Sequence, residues 1–464
     1  TWKSRGLGDV YKRQSLNFSD TPPFHDLGNI TAVGVIAAFI YSVTLLPALT
    51  LLLPIKAKKL EENNEKKWQI RFSSWVHSNK KAIIYVTLFL TTFLAIQVPK
   101  IELNDQFVKY FDKSVKFRTD SDYVLKNLTG LYQSNFDFIS QESGGISNPE
   151  YLNRIERFSD YLKAQKEVVH VSTITDTFKR INKSMHGDSQ EYYKLPDTRE
   201  MAAQYLLLYE MSLPYGLDIN NQIDVDKSST RVVVTFEDMK TKRFLDLNHK
   251  YEKWVQDNFP AHLHTKASSP TIMFSHISER NVKAMAWGTL VAFSLITLIL
   301  IISMKSIKYG LISLIPNMIP TILAYGLWSL FVGEAGFAIA IVSSVTIGIV
   351  VDDTVHFLAK YVKAKNELNL SSSEAIEYSF SNVGGALVIT SIILAIGFAV
   401  LMLSPFKVNW ILGALSALTI TLALVVDFLF LPALLSLFDE KKVANNNIGC
   451  LLYTSPSPRD FQVS

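Results

Sequence analysis

Apolar residues in this chain come in long unbroken blocks, and that arrangement constrains the fold more than any other feature. A soluble protein of 464 residues would spread its 48% hydrophobic residues in periodic stripes. Here residues 30–53, 82–98, 284–303, 309–332, 337–351 and 386–437 are each almost free of charge. A block of about 20 apolar residues crosses a ~30 Å hydrocarbon layer as a helix. The last block is interrupted by SPFK at residues 404–407, so it reads as two spans and makes seven in all. In lipid every backbone polar group must be satisfied internally, which makes a helix of each block. The expected fold class is a polytopic α-helical membrane protein with seven predicted transmembrane helices.

The placement of charge matters more than the net +4. Lys56, Lys58, Lys59, Lys66, Lys67, Arg71, Lys80 and Lys81 crowd the loop between the first two spans. Lys305 and Lys308 follow the third span, Lys360, Lys363 and Lys365 the fifth, and Lys441 and Lys442 the last. The alternate turns, GEAG around Glu334 and SPFK, carry little charge. Basic loops stay in the cytoplasm, and this assignment alternates without conflict. It puts the polar segment 99–281 outside. The single cysteine, Cys450, leaves that segment without disulfides, so it is expected to rely on its own core.

Within that segment, residues 135–140 (NFDFIS) alternate like a half-buried strand, residues 150–165 carry helical spacing, and 167–174 read as a second strand. A helix over 198–211 leads to TRVVVTF at 230–236, the clearest strand of the chain. A further helix is expected at 246–259, and 262–267 could close the sheet. Strand–helix–strand, twice, suggests an α/β sandwich of the ferredoxin-like kind. His170, His186, His262 and His264 are scattered. No phosphate loop, nucleophile elbow or metal-spaced cluster accompanies them, so neither an enzyme, a cofactor nor a bound metal is expected.

The chemistry sits in the fifth block, where FAIAIVSSVTIGIVV runs into DDTVHFLAKY. A carboxylate at mid-membrane costs roughly 2.5–3.5 kcal/mol, so such residues default to a functional reading. Asp352 and Asp353 side by side cannot both ionise cheaply in a low dielectric and should hold and release a proton as a coupled unit. On a helix, Gly348 lies one turn before Asp352, where a small residue lets a neighbouring helix approach. His356 lies one turn after, on the same face. It can share the proton or mark the cytoplasmic interface beside Lys360. A second acid in an apolar run, Asp427 of ALVVDFLFLPALL, could join a relay or hydrogen-bond Thr390 or Ser391 to fix packing. Pro316 and Pro320 are expected to kink their helix.

Two further patterns concern the extent of the chain. LG at 27–28 followed by LPAL at 46–49 recurs as LG at 412–413 followed by LPAL at 431–434, each copy behind a Pro-Phe. That matched spacing suggests a parallel duplication, with Ser42 the counterpart of Asp427. The ends, TWKSRGLGDVYKRQ at 1–14 and the stretch 450–464, resemble translated library adapter and are set aside.

GIVVDDTVHFLAKY, with NDQFVKYFD, SLIPNMIP, SNVGGALVIT and DFLFLPALL, resembles the resistance-nodulation-division (RND) superfamily, and within it the MMPL-type exporters of hydrophobic and amphiphilic molecules. The resemblance covers nearly all of residues 15–443. It implies a last helix of a first repeat (15–54), a basic linker (55–81), a helix (82–98), a periplasmic ferredoxin-like α/β porter domain (99–281) and a five-helix bundle of MMPL or sterol-sensing type (282–438). In that family an acidic pair on helices four and ten takes protons down their gradient. Asp352 and Asp353 match the helix-ten position, where many relatives carry Asp-Tyr. The implied function is proton-motive-force-driven export of lipid-like molecules across a bacterial inner membrane, and the alternative is a lipid- or sterol-sensing receptor without pumping. The implied partners are membrane lipids, a hydrophobic substrate, protons, the N-terminal half of a longer protein and other copies of the chain, with no nucleic acid. The chain is expected to be a fragment.

Overall fold

The computed structural model describes residues 22–52, 65–214, 218–336 and 338–443. The two end stretches set aside above, with Cys450, and residues 55–64 of the basic linker lie outside them. The protein is a mostly helical, multi-pass membrane protein. Among the described residues, seven helices are long and apolar enough to cross a membrane.

The chain begins with α1 (Pro22–Leu52), which contains Pro47 of the first LPAL. A short helix, α2 (Glu65–Ser78), leads through Asn79 into α3 (Lys80–Ala95), the second span. The chain then leaves the bundle through β1 (Glu102–Leu103) and α4 (Lys116–Asn127) and enters the polar domain. There it forms β2 (Tyr132–Ile139), α5 (Pro149–Lys163) and β3 (Val168–Ser172). Two helices follow, α6 (Ile174–Met185) and α7 (Arg199–Ser212), and then β4 (Ser229–Phe236) and α8 (Thr241–Asn258). Asn148 starts α5 by accepting from Glu150 N at 2.9 Å, with Pro149 in the first turn, where its missing N–H costs nothing.

The sheet order is β2-β4-β3, with both pairings antiparallel. The strands joined by α5 therefore run the same way with β4 between them. The central position explains why TRVVVTF is so apolar: Val232, Val234 and Phe236 are fully buried with Phe136, Phe138 and Phe158. The edge strand β2 alternates buried and exposed residues, as NFDFIS implied. Residues 262–267 do not close the sheet. A 3-10 turn at Ala261–Leu263 buries Leu263 there, and His264 Nε2 lies 3.0 Å from Phe259 O. Only Ser268 reaches the free edge of β2, exchanging backbone bonds with Asn135 at 2.8 and 2.9 Å.

The membrane half resumes with α9 (Pro270–Met304), capped by Ser269 Oγ on Ile272 N at 3.1 Å. Residues 270–281, read as part of the external segment, are thus an extension of this span. Next come α10 (Ile307–Phe331), β5 (Glu334–Ala335) and α11 (Ala338–Asn366). A helix α12 (Ser372–Ser379) passes through a π-turn (Phe380–Gly384) into α13 (Gly385–Val400), and α14 (Lys407–Val443) completes the bundle. α10 continues through Pro316 and Pro320 without a break. Gly326 of α10 meets α3 so closely that a Cβ would lie 2.6 Å from Leu94 O.

Both low-charge turns are bound to the root of the polar domain. β1 pairs with β5 in parallel, and Phe111 bridges to Phe406 of SPFK. The GEAG and SPFK turns therefore share one end of the bundle with the domain, as the alternation of charge required.

Candidate functional site

The acidic pair lies near the middle of α11, not at the end of a span, because the helix continues through residues 354–366. Adjacent helical residues point about 100° apart, and the two carboxylates separate accordingly. Asp353 is buried, and its Oδ2 accepts from Ser391 Oγ of α13 at 2.7 Å. The Asp352 side chain is 56% exposed on the opposite flank, with its Oδ1 3.6 Å from His356 Nε2. Gly348 is half-buried on the same face.

The second buried carboxylate is Asp427 of α14, 1% exposed. It bonds neither Thr390 nor Ser391. Thr390 turns outward and donates to its own helix at Ala386 O, 3.0 Å, while Ser391 serves Asp353. The cause is the π-turn, which fits one extra residue into a turn and so rotates α13 by about 100° relative to an uninterrupted helix.

Asp427 is held instead by Thr354, the residue after the acidic pair. Thr354 Oγ1 lies 2.7 Å from Asp427 Oδ1 and 2.7 Å from Asn317 Oδ1 of α10. All three groups are buried. Thr354 and Asn317 were not singled out in the sequence. Asn317 is a lone amide between the two prolines of SLIPNMIP, and that isolation was the available signal.

One hydroxyl carries one hydrogen, so Thr354 cannot donate to both acceptors. Both contacts are ordinary hydrogen bonds when Asp427 carries a proton, donating to Thr354, which then donates to Asn317. They are also both satisfied when the Asn317 amide presents its nitrogen. The three helices α10, α11 and α14 therefore meet at a junction whose bonding depends on hydrogen count.

A second junction closes the basic end of the bundle. Asp439 of α14 pairs with Lys308 of α10 and accepts from Tyr309 Oη at 3.0 Å and Tyr361 Oη of α11 at 2.6 Å. At the domain end, Asp105 accepts from Tyr110 Oη at 2.5 Å and from Ser278 Oγ of α9. Burial first, and the Asp105 charge second, push the Tyr110 hydroxyl well above its ordinary pKa. A Cβ on Gly336 would lie 2.0 Å from Asp105 Oδ1, so any larger residue there displaces the Asp105 carboxylate. Among the described residues no three His, Cys, Asp or Glu side chains converge as a metal site.

Comparison with known proteins agrees with this architecture. A membrane protein of Methanocaldococcus jannaschii is 26% identical over 303 residues, 64% of this chain and 73% of that one. The hedgehog release protein Disp from the water bear Hypsibius dujardini has a similar fold, with TM-score 0.62 and 14% identity. The match covers 94% of this chain and 58% of Disp, so the chain spans less than two thirds of that protein. SecDF in its super-membrane-facing form matches with TM-score 0.46 and 12% identity, over 95% of this chain and 48% of SecDF. Residues 220–447 match the model of the MMPL family, and over that segment the chain is MMPL-like.

Proposed function

We propose that this chain works in proton-motive-force-driven export of lipid-like or amphiphilic molecules across a bacterial inner membrane. In this reading α9–α14 form the proton-coupled unit, and the polar domain is a periplasmic porter domain of ferredoxin-like kind. The split strand order, with Ser268 reduced to a single bridge at the fourth position, supports that last assignment.

The observation that carries the proposal is the Thr354 junction. A proton on Asp427 lets the α14 carboxyl, the α11 hydroxyl and the α10 amide bond in series. When it leaves, the Thr354 hydrogen turns to the carboxylate, and Asn317 must turn its nitrogen toward Thr354 or lose the bond. Protonation thereby changes how three helices are tied, which is the differential interaction a ligand-driven equilibrium needs. One proton crossing 100 mV releases ~2.3 kcal/mol, comparable to the bonds exchanged. Asp353 and Asp352 extend the carboxylates toward the outer face of α11. Facing lipid, Asp352 would cost roughly 2.5–3.5 kcal/mol, so that face is expected to meet water or protein.

The test is lipid movement in proteoliposomes before and after a protonophore dissipates an imposed pH gradient. Flux that stops with the gradient supports export. Lipid binding that persists with no gradient-dependent flux would instead favour a lipid- or sterol-sensing receptor.

A further inference from the structure

Away from the carboxylates, a cleft of 540 Å³ opens at the domain end of the bundle, between residues 109–118 and residues 402–410. Its volume is that of a small-molecule site. The two walls are joined by backbone, with Asp112 N donating to Pro405 O at 2.8 Å beside the Phe111–Phe406 bridge.

Four cationic side chains line the cleft against one carboxylate, Asp112. Two of the four are occupied: Arg118 by Asp122 at 2.8 Å and Lys109 by Asp238 at 2.8 Å. Lys113 and Lys407 form no direct ion pair among the described residues, the Lys407 charge acting only at longer range on Glu334, which is already bound by Lys240. A hydrogen bond from the Ser114 backbone N–H holds the Asp112 carboxyl below its ordinary range, so it is charged and offsets part of this excess. The balance remains positive.

The other half of the cleft is apolar and open sideways. Leu403 is 85% exposed at its lip. Below it, Ile389, Ile392, Ile393, Ile396 and Val400 form an exposed stripe along α13 at helical spacing. The stripe leads from the membrane-facing surface directly to the lip. Phe111 in the wall packs on Phe117, 5.3 Å between ring centroids, at the level where aromatic residues gather between hydrocarbon and water.

We infer that this cleft holds the anionic headgroup of a membrane amphiphile from the leaflet on the domain side, with its chains lying along the α13 stripe. Lys113 and Lys407 are the headgroup ligands. The occupancy does not depend on proton coupling and stands or falls separately from the proposed transport.

The experiment uses the full chain in nanodiscs of phosphatidylcholine, with and without a minor fraction of a photoactivatable phosphatidylglycerol. Cross-linked peptides are located by mass spectrometry. Cross-links are expected within residues 109–118 or 402–410 for the anionic lipid and much less for a photoactivatable phosphatidylcholine. At about 1 kcal/mol per lysine near an anionic surface, the double variant Lys113→Gln, Lys407→Gln should bind about 30-fold more weakly. Lys113→Arg with Lys407→Arg should restore binding, and Lys126→Gln outside the cleft should leave it unchanged. Equal labelling by the two lipids, or undiminished labelling in the double glutamine variant, overturns the inference. Displacement of the lipid by inorganic phosphate also overturns it, by assigning the cleft to a soluble anion.

Discussion

Replacing Thr354 with valine keeps the shape of the side chain and removes only the hydroxyl that joins Asp427 to Asn317. Hydrogen bonds between membrane helices are worth ~0.6 kcal/mol on average and at most ~1.7. Two are lost, so Thr354→Val should destabilise the bundle by about 1–3 kcal/mol, which leaves a folded, inserted protein. Thr354→Ser keeps the hydroxyl and gives up one buried methyl, at about 1 kcal/mol. Stability alone would barely separate the two variants, whereas the Thr354 junction separates them sharply. Detergent-titrated unfolding gives the stability change, and lipid flux in proteoliposomes under a pH gradient gives the coupling. Thr354→Ser should retain gradient-driven flux, and Thr354→Val should lose it while remaining folded. Wild-type flux in Thr354→Val would refute the idea that the hydroxyl links protonation to helix movement.

Asp439→Ala removes the anchor shared by Lys308, Tyr309 and Tyr361. Hydrogen bonds to a charged group are worth ~1.5–3 kcal/mol, so the unfolding free energy should fall by about 2–3 kcal/mol in the same titration. Gly336→Ala puts a methyl where the Asp105 carboxylate lies and should loosen the tie between the polar domain and α9, read as faster proteolysis near residues 104–112. Burial pushes the Asp176 carboxyl up, but Lys179 at 3.0 Å and Lys163 at 3.3 Å outweigh it and hold it below the ordinary aspartate range. That stabilisation is present above the unfolded value of about 3.9 and is lost as pH falls through the lower folded value. Asp176→Asn should therefore be less stable than wild type near neutral pH, with the gap closing in acid.

The spans were legible because apolar blocks need no tertiary information, and the alternation of lysines correctly grouped GEAG and SPFK at one end. Their limits were less so. Residues 270–281 and 354–366 lie outside the apolar blocks, yet they continue α9 and α11, since a helix in progress extends past the hydrocarbon wherever it finds a neighbour to pack on. The strand TRVVVTF was legible from its run of valines, while its central place was not, and the expected fourth strand is reduced to a bridge at Ser268. At the site, DD in an oil-like run marks α11. Which carboxylate is buried depends on the helices on either side of α11, which local sequence does not record. Ser391 meets Asp353, with Thr390 turned away, through a π-turn that leaves no compositional mark. Thr354 and Asn317 matter only because three helices converge on them. Asp439, in FDEKK, likewise gains its role only from Lys308, Tyr309 and Tyr361 on two other helices.

The coupling of a proton on the buried carboxylates to movement of an amphiphile is tested most directly by one comparison. A fluorescent lipid is followed in proteoliposomes under an imposed pH gradient, for the wild type, Asp353→Asn and Asp427→Asn, each checked for folding and insertion. Gradient-driven flux is expected in the wild type and absent from both variants. Flux at the wild-type rate in both would contradict the assignment.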